Sequence, residues 1–213
     1  MHSVAVIDYG MGNLRSVSKA LEHVAGDGVH VEVTSDSETV MEADRIVFPG
    51  QGAMRDCIAE LERFGLREVV ETVIYTRPFL GICMGLQALL ESSDEDPDTR
   101  ALGTFSGRVE RFPENMTGSD GARLKIPHMG WNNVEQTLDH PLWQHISSGE
   151  RFYFVHSYVV VPEDQTRVAA RCNYGIDFAC ALAYRNLFAV QFHPEKSQHA
   201  GLQLLRNFLS WRG

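Results

Sequence analysis

Residues 78–91 read PFLGICMGLQALLE, a short apolar run that passes directly into a string of good helix formers. This pattern predicts a buried strand that turns into a helix over residues 84–91. Cys83 stands at the junction, between Gly81 and Gly85. In the form glycine–x–nucleophile–x–glycine, a strand turns abruptly into a helix and lifts the central side chain above the sheet, where larger flanking residues would collide. A buried cysteine in a glycine-rich turn is the alternative, but the positive end of the helix dipole would favour a thiolate, so Cys83 is a candidate nucleophile.

The first half of the chain alternates strand and helix patterns around this junction. Strand-like runs cover residues 3–8, 29–33, 45–50 and 78–82. A turn and an amphipathic helix follow the first run, and a helical pattern over residues 52–75, broken near Gly65, follows the third. Alternation of this kind implies right-handed crossovers and a parallel sheet that is covered on both faces.

The second half changes to β-type runs after an acidic, turn-rich stretch that begins at Glu91. The runs are TFSGRVERF, RFYFVHSYVVV, RVAARC, FACALAYR and LFAVQF, and an amphipathic helix over residues 198–211 follows them. We see no internal repeat and no linker long enough to separate domains. The sequence therefore predicts an α/β fold in which residues 1–213 form a single domain. Its central sheet is expected to be largely parallel and flanked by helices, with additional antiparallel strands from the second half.

Composition excludes several classes of function. The 213 residues include 19 basic and 28 acidic side chains, a formal charge of −9, whereas a nucleic-acid footprint requires a basic face. Apolar residues make up 44% of the chain, which is ample for a buried core. No apolar segment approaches the roughly 18 residues of a membrane span, and the sequence enters a strand-like run at once, without the basic lead of a secretion signal. We therefore expect a cytoplasmic protein.

The cysteines give no metal or disulfide signal. None belongs to a CxxC pair or lies beside histidines at zinc-ligand spacing: Cys57, Cys83, Cys172 and Cys180. All except Cys83 are expected to be reduced, buried thiols that behave as small apolar residues. No metal site is expected.

A thiol nucleophile needs a base and a group that orients the base. The stretch LFAVQFHPEKS supplies both, because His193 leaves the end of an apolar strand and Pro194 biases it towards extended geometry. Residues i and i+2 of an extended chain point the same way, so Glu195 is expected to hold the imidazole of His193. His128 and His156 have no adjacent carboxylate. The following histidines lie in polar or turn contexts and are expected at the surface: His23, His30, His140 and His145.

Donors for a developing oxyanion are the third requirement. The stretch FPGQGAM places Gly50 and Gly52 at the carboxyl end of the third predicted strand, where backbone N–H groups can approach a substrate because no Cβ intervenes. A glycine-rich turn after a strand is common by itself. Together with Cys83 and the pair His193 and Glu195, it completes a thiol acyl-transfer site at the carboxyl ends of strands, where open α/β sheets bind ligands.

With these motifs the sequence resembles the class I glutamine amidotransferases, whose signatures are G-x-C-x-G and H-P-E. The resemblance runs nearly end to end. It is closest to the branch of that family that supplies ammonia for imidazole glycerol phosphate in histidine biosynthesis, because four motifs occur in the same order: DYGMGNLRSV, IPHMGWN, FYFVHSY and FHPEKS. The G-x-C-x-G motif alone is shared too widely to indicate a pathway.

The resemblance implies a role for each matching residue. Cys83 is the nucleophile, His193 the base and Glu195 the partner of the base. The other implied roles are the oxyanion turn for Gly50 and Gly52, the seating of glutamine for Gln87, and the binding of the substrate's amino-acid end for Ser157 and Tyr158. The sequence departs from the family at Gln51, where a polar residue replaces the usual small apolar one and could change the resting orientation of the turn.

The resemblance also implies a partner. With no residues left over for a synthase domain, the ammonia acceptor is expected on a cyclase subunit with a (β/α)8 barrel, giving a heterodimer. On residue type the stretch HMGWNNV is equally consistent with core and with interface, and the resemblance favours the interface for Met129 and Trp131 and places Asn13 towards the partner. Lys196 is expected at the same interface because an exposed cation beside an aromatic suits an acidic, partly apolar partner face. No cofactor is expected, because the GMG turn at residues 10–12 has Arg15 where a dinucleotide fingerprint would have its third glycine.

These inferences predict a glutaminase that hydrolyses L-glutamine to glutamate and ammonia through a cysteine thioester. The alternatives are a glutaminase subunit of another pathway, such as anthranilate or pyridoxal phosphate synthesis, a cysteine hydrolase of the γ-glutamyl hydrolase or peptidase kind, and a catalytically inactive binding module. The motifs DYGMGN and HMGWN favour histidine biosynthesis over the first alternative. The intact set of Cys83, His193 and Glu195 argues against the last.

Overall fold

The computed structural model describes residues 2–118 and 121–213. Within these residues the strands are β1 His2–Ile7, β2 Val29–Thr34, β3 Arg45–Gly50, β4 Phe79–Cys83, β5 Ser92–Ser93, β6 Gly107–Arg111, β7 His128–Gln136, β8 Glu150–His156, β9 Tyr158–Pro162, β10 Val168–Asn173, β11 Asp177–Tyr184 and β12 Leu187–Val190. The α-helices are α1 Leu14–Val24, α2 Ser37–Glu42, α3 Met54–Arg63, α4 Arg67–Val73, α5 Met84–Gln87 and α6 Gln198–Ser210.

One half of the sheet is parallel, as the strand–helix alternation predicts. Its strands lie in the order β2-β1-β3-β4-β12, and every neighbouring pair runs parallel. The register sets Gly50 of β3 opposite Cys83 of β4. The carboxyl ends of these strands meet at one edge of the sheet, so the residues that follow them are brought together there.

The other half of the sheet is antiparallel. It continues the order as β12-β11-β10-β7-β8, and β9 leaves β11 to pair with β6. The predicted α/β class, with a largely parallel centre and added antiparallel strands, is confirmed. This addition brings residues 155–158 to a cavity that Cys83 also lines.

Helices cover both faces of the parallel half, because side chains alternate along each strand. In β1, Val4 and Val6 belong to an apolar cluster with residues of α1 and α6. Ala5 and Ile7 point to the other face, where they join residues of α2 to α5. The break predicted near Gly65 is the turn between α3 and α4, where that glycine has a φ of +67°.

The helix after Cys83 is shorter than predicted. It ends at Gln87 instead of residue 91, because the N–H groups of Leu89 and Leu90 donate to carbonyls three residues back and the Glu91 N–H donates to the Gly107 carbonyl oxygen. A returning segment then bonds to the carbonyl groups that follow the helix. The N–H groups of this segment donate to the carbonyl oxygens of residues 88–90, in the pairs Leu102–Ala88, Gly103–Leu90 and Phe105–Leu89. The dipole of such a short helix is small, so it contributes less at Cys83 than the pattern indicated.

The run RFYFVHSYVVV forms two strands instead of one. It breaks at Ser157, since β8 pairs with β7 while β9 pairs with β6. The motif HMGWN forms the first residues of β7. Helix α2 was not predicted; the side chain of Asp36 caps it by accepting a hydrogen bond from the Thr39 N–H at 2.8 Å.

Crossing a bilayer needs a long apolar helix. Over residues 2–118 and 121–213, we find no helix that combines the necessary length and hydropathy.

Candidate active site

Cys83 lies in a sharp turn between β4 and α5. Its backbone has a φ of 56° and a ψ of −106°, a conformation that residues other than glycine rarely adopt. The flanking glycines are required sterically: a Cβ on Gly85 would overlap the carbonyl oxygen of Phe48, and one on Gly81 would come within 2.7 Å of the Gly85 carbonyl oxygen. The turn therefore holds the thiol, in a residue that is 8% exposed, at the carboxyl edge of the sheet.

His193 is fixed just beyond the end of β12 by its own backbone. Its N–H donates to the Tyr153 carbonyl oxygen at 2.9 Å, and the Ser197 hydroxyl donates to its carbonyl oxygen at 2.6 Å. Its Nδ1 lies 2.9 Å from Oε1 of Glu195. Residues 194–196 form a 3-10 turn. The expected contact is therefore present, but the extended i, i+2 geometry from which it was inferred is wrong.

The surroundings of His193 favour its protonated form. Burial by itself would lower the pKa of His193, but interactions with Cys83 and Glu195 outweigh burial and raise that pKa to about 9. Glu195 occupies Nδ1, which leaves Nε2 to interact with Cys83, and no other group in the described part of the chain hydrogen-bonds to Nε2. An imidazolium beside a thiol favours the thiolate, and its Nε2–H can later protonate a leaving group.

The two glycines of the turn after β3 have different surroundings. Gly52, with a φ of +95°, lines the cavity with Cys83. Gly50 does not line it. A Cβ on Gly50 would overlap the Tyr9 hydroxyl, which donates to the Pro49 carbonyl oxygen at 3.0 Å. Close packing against Tyr9 therefore explains why a glycine is needed at position 50. Gln51, the departure from the family pattern, is exposed and faces the cavity as well.

A cavity of about 330 Å³ opens beside the thiol, and most of the predicted site residues line it. Its lining includes Gly52, Cys83, Gln87, Ser157, Tyr158 and His193. Gly50 and Glu195 lie behind this wall, against Tyr9 and His193 respectively. A concave space of this size with a few converging polar groups suits a small polar molecule.

Two buried glutamines connect the cavity wall to the thiol. Gln87 Nε2 is 3.4 Å from the Tyr158 carbonyl oxygen and 3.0 Å from Oε1 of Gln191. Nε2 of Gln191 is in turn 3.7 Å from Cys83 Sγ. Sequence reasoning missed Gln191. The available signal was a single polar residue at the end of the apolar run LFAVQF, since a buried amide must find partners.

Glu95 is a second residue that sequence reasoning missed. It belongs to the acidic, turn-rich stretch that begins at Glu91, and it lines the cavity. Its carboxylate accepts a hydrogen bond from the Met54 N–H at 3.1 Å, which ties the loop to the start of α3. The cavity thus contains a carboxylate from Glu95 and an ammonium group from Lys196. Nothing in the local sequence separates Glu95 from the acidic residues around it.

The residues expected at a partner interface lie at the surface. Met129 is 61% exposed and Trp131 is 37% exposed, and they lie two residues apart on β7. Lys196 is exposed and lines the cavity beside Cys83. Asn13 is exposed and also caps α1, since its side chain accepts a hydrogen bond from the Ser16 N–H at 3.4 Å.

The remaining cysteines are free and buried, as predicted. Burial raises the pKa of Cys57 and the pKa of Cys172 to about 12, so both remain neutral thiols. His140, in contrast, is not the surface residue that its context indicated. Its ring centroid lies 4.6 Å from that of Phe188 and 5.0 Å from that of Trp211, and burial lowers its pKa to about 4.

Comparison of sequences places these features in a known context. The chain matches the family described as glutamine amidotransferase class-I over residues 5–211. It is 58% identical over 212 residues to the imidazole glycerol phosphate synthase subunit HisH of Aromatoleum aromaticum, with 99% of each chain covered. It is 59% identical over 211 residues to the subunit of the same name from Dechloromonas aromatica, covering 99% of this chain and 97% of that relative.

Solved structures share the fold at low sequence identity. One described as a glutamine amidotransferase has a TM-score of 0.72 and 20% identity, with 97% of each chain covered. PurLQS from Thermotoga maritima has a TM-score of 0.70 and 18% identity, with 98% of each chain covered. At these identities the likeness concerns the fold alone, and it agrees with the α/β architecture seen here.

Proposed function

This chain belongs to the class I glutamine amidotransferases, and on that premise we propose that it is the glutaminase subunit of an imidazole glycerol phosphate synthase, acting in histidine biosynthesis. It hydrolyses L-glutamine and passes the ammonia to a cyclase subunit. The observation that carries the proposal is one cavity in which Cys83, held in a strained turn, lies beside His193 with Glu195 behind it. The names of the relatives support the choice of pathway.

The first half of the reaction transfers the glutamyl group to the enzyme. The Cys83 thiolate attacks the side-chain amide carbon of glutamine, and a carbon–sulfur bond forms as the carbonyl electrons move to oxygen. Backbone N–H groups near Gly52 and at Met84, which both line the cavity, hold the oxyanion. His193 then gives its Nε2 proton to the leaving nitrogen, the carbon–nitrogen bond breaks, and ammonia departs from a glutamyl thioester.

The second half releases glutamate. Neutral His193 takes a proton from water while the water oxygen attacks the thioester carbon, and the carbon–sulfur bond breaks to return the Cys83 thiolate. Glu195 is not consumed in either half. It keeps the imidazole oriented through Nδ1 and stabilises the imidazolium.

Charges in the cavity match a zwitterionic amino acid. The Glu95 carboxylate suits the α-ammonium group of glutamine, and the wall formed by Ser157 and Tyr158 suits its carboxylate end. Gln87 reaches the same wall through the Tyr158 carbonyl oxygen. The hydrogen bonds from the Tyr158 carbonyl through Gln87 and Gln191 therefore connect the substrate-binding wall to Cys83.

A cyclase subunit, with a (β/α)8 barrel, is the proposed acceptor of ammonia. Ammonia released into water would be protonated and lost as a nucleophile, so the cavity requires a cover during turnover. Met129 and Trp131 offer exposed apolar surface, and Lys196 adds a cation at the cavity. An aromatic and a cation on one rim suit a partner face that is acidic and partly apolar.

Ammonia transfer to the cyclase tests the proposal. The chain is purified with the cyclase and supplied with glutamine and the cyclase's nucleotide substrate, and glutamate and the imidazole product are measured together. We expect equal amounts of both products, and slower glutamine hydrolysis by the chain alone. Glutamate without cyclase product, or transfer to the synthase of another pathway instead, would contradict the assignment.

Substrate range separates the remaining alternative, a cysteine hydrolase. Peptides with internal or terminal glutamine are supplied under the same conditions. We expect hydrolysis of free glutamine and none of the peptides. Peptide cleavage at a comparable rate would favour the hydrolase.

A further inference from the structure

Two buried histidines lie side by side on neighbouring strands and take no part in the proposed chemistry. His128 begins β7, His156 ends β8, and the antiparallel register pairs them. They are 2% and 5% exposed, and Nδ1 of His128 is 2.9 Å from Nε2 of His156. The rings that pack against them are aromatic: Phe112, Phe154, Tyr174 and Phe178.

The contact of His156 with the Tyr158 carbonyl determines which ring nitrogens of the pair carry hydrogen. Nδ1 of His156 lies 2.7 Å from the Tyr158 carbonyl oxygen, which can only accept, so this Nδ1 carries the hydrogen. Nε2 of a neutral His156 is then an acceptor, and it takes its hydrogen bond from Nδ1–H of His128. Nε2 of His128 is left as an acceptor in its turn.

Asn132 supplies the donor at the other end. Its Nδ2 is 3.3 Å from Nε2 of His128, and it also donates to the Asn173 carbonyl oxygen at 2.8 Å. Its Oδ1 accepts from the Asn133 N–H at 2.8 Å, which fixes the direction of the amide. We call the one-directional chain of hydrogen bonds from Asn132 through His128 and His156 to the Tyr158 carbonyl the histidine relay.

The histidine relay works only while both rings are neutral. A second proton on either ring would place two donors face to face. Burial lowers the pKa of His128 to about 4 and the pKa of His156 to about 3, in agreement with this ordering.

The histidine relay ends where the active-site network begins. The Tyr158 carbonyl that accepts from His156 is also 3.4 Å from Gln87 Nε2, and Gln87 continues through Gln191 to Cys83. Tyr158 pairs with Arg111 of β6, and the Ser157 carbonyl oxygen beside it accepts from the Phe112 N–H at 3.1 Å. The Tyr158 carbonyl oxygen in addition contacts two side chains, His156 and Gln87, so these side chains help to set its orientation.

We propose that His128 and His156 are positioning residues for glutamine binding, because the histidine relay fixes the Tyr158 carbonyl and with it the cavity wall at residues 157–158. Neither ring touches the reacting atoms in this role. The inference rests on the proposed function, since that wall is the one that seats glutamine. In this proposal β7 has two roles: its buried His128 supports substrate binding, and its exposed residues contact the partner.

Two substitutions at one position separate hydrogen bonding from packing. His128→Phe keeps a ring to stack on Tyr174 and Phe154 but leaves Nε2 of His156 without a donor. His128→Asn loses the ring but keeps an amide donor near the position of Nδ1. In the complex with the cyclase, we expect the KM for glutamine to rise roughly tenfold in His128→Phe, because an unpaired buried acceptor is costly. We expect kcat to change less than KM, and His128→Asn to stay closer to the wild type.

The reverse order, with His128→Phe near the wild type and His128→Asn impaired, would assign a packing role and overturn the inference. An unchanged KM in both folded variants would do the same. Ammonium-dependent synthesis by the complex is the control, since it does not use the glutamine site and should be equal in all three proteins.

A measurement on the unaltered chain covers the case in which variants do not fold. With ¹⁵N-labelled histidine, the ring nitrogens of His128 and His156 should report neutral Nδ1–H tautomers between about pH 5 and about pH 8. An Nε2–H tautomer, or a ring that titrates near its ordinary value, would overturn the histidine relay. A wild-type complex that releases no ammonia from glutamine would contradict the proposed function, and the NMR result would still decide the relay.

Discussion

The backbone of Cys83 stores conformational strain at the point where the chemistry is proposed. Its positive φ of 56° with a ψ of −106° costs on the order of 1–3 kcal/mol for a residue with a side chain. Such a conformation persists only where surrounding packing imposes it, and here Gly81 and Gly85 allow β4 and α5 to approach closely. This strained backbone conformation points the thiol into the cavity instead of into the core.

Replacement of His193 should be more damaging than replacement of its partner. His193→Ala removes the group that moves protons, and we expect glutaminase activity to fall by roughly 10²–10⁴-fold. Glu195→Gln keeps a hydrogen-bond acceptor near Nδ1 but loses the charge that stabilises the imidazolium, so the loss should be smaller. Steady-state ammonia release by the complex measures both. Equal losses, or a larger loss in Glu195→Gln, would contradict these roles.

Residues in short motifs could be assigned to the site from sequence, whereas residues brought in by folding could not. Cys83, His193 and Glu195 each have a local pattern that indicates their chemistry. Glu95 reaches the cavity only because its loop is tied to α3, and Gln191 only because β12 lies beside β4. No spacing along the chain encodes those two contacts.

The helix after the thiol depends on one glycine for its distance from β3. In Gly85→Ala the new Cβ would overlap the Phe48 carbonyl oxygen, so β3 and α5 must move apart. We expect the free energy of unfolding in urea to fall by roughly 1–3 kcal/mol. Gly26→Ala is the matched control, because a Cβ there meets nothing within 4 Å and the change should stay within about 0.5 kcal/mol. Similar stability of the two variants would contradict this account of the turn between β4 and α5.

Strands β7 and β8 should make stability depend on pH through their histidine pair. The folded-state pKa values of about 4 for His128 and about 3 for His156 lie below the value near 6.5 of an unfolded chain. Between these values the unfolded chain binds more protons, so stability present at neutral pH is lost as the pH falls. From about pH 7 to about pH 5 we expect the pair to lower the free energy of unfolding by roughly 3–4 kcal/mol, because both rings stay largely neutral in the folded chain while both become protonated in the unfolded chain.

Urea unfolding at both pH values measures this dependence. His128→Asn removes one titrating ring, so its stability should fall less over the same interval. The carboxylates and His193 titrate in both proteins, and comparison of the two removes their contribution. Identical pH dependence of the two proteins would contradict neutral burial of the pair.

Element boundaries were the part of the fold that sequence patterns predicted least well. Four strands of the parallel half are apolar runs bounded by turns, and their alternation with helices predicted that they run parallel. Helix α5 stops early where the Glu91 N–H bonds to the Gly107 carbonyl oxygen and residues 102–105 bond to the carbonyls just beyond the helix, and the split at Ser157 follows from two different partner strands. Both outcomes depend on residues distant along the chain, which local periodicity does not contain.

At the scale of the whole molecule, the cavity and the turns around it all lie at the carboxyl edge of the sheet. Beyond the cavity lining, the loop after β1 packs on the glycine turn, since a Cβ on Gly52 would come within 2.6 Å of Met11 Cε. Asn13 lies in the same loop, before α1. We therefore expect partner docking on this edge to act on the oxyanion turn through direct contact.

Trp131 is the exposed aromatic residue whose loss should weaken docking most. Trp131→Ala should raise the Kd for the cyclase by roughly tenfold or more, because aromatic residues often dominate interface energies. Tyr75→Ala is the control: Tyr75 is 56% exposed, but it lies between α4 and β4, towards the amino ends of the strands. Titration calorimetry measures both variants. Equal affinities for the two would contradict docking at this edge.

Thiol-dependent use of glutamine tests the central claim most directly. The complex carrying Cys83→Ala is supplied either with glutamine or with ammonium salts, and formation of the cyclase product is followed. We predict that glutamine-dependent synthesis is abolished while ammonium-dependent synthesis proceeds at the wild-type rate, because only cleavage of the amide needs the thiol. A Cys83→Ala complex that still uses glutamine would contradict the assignment of the nucleophile and the mechanism built on it.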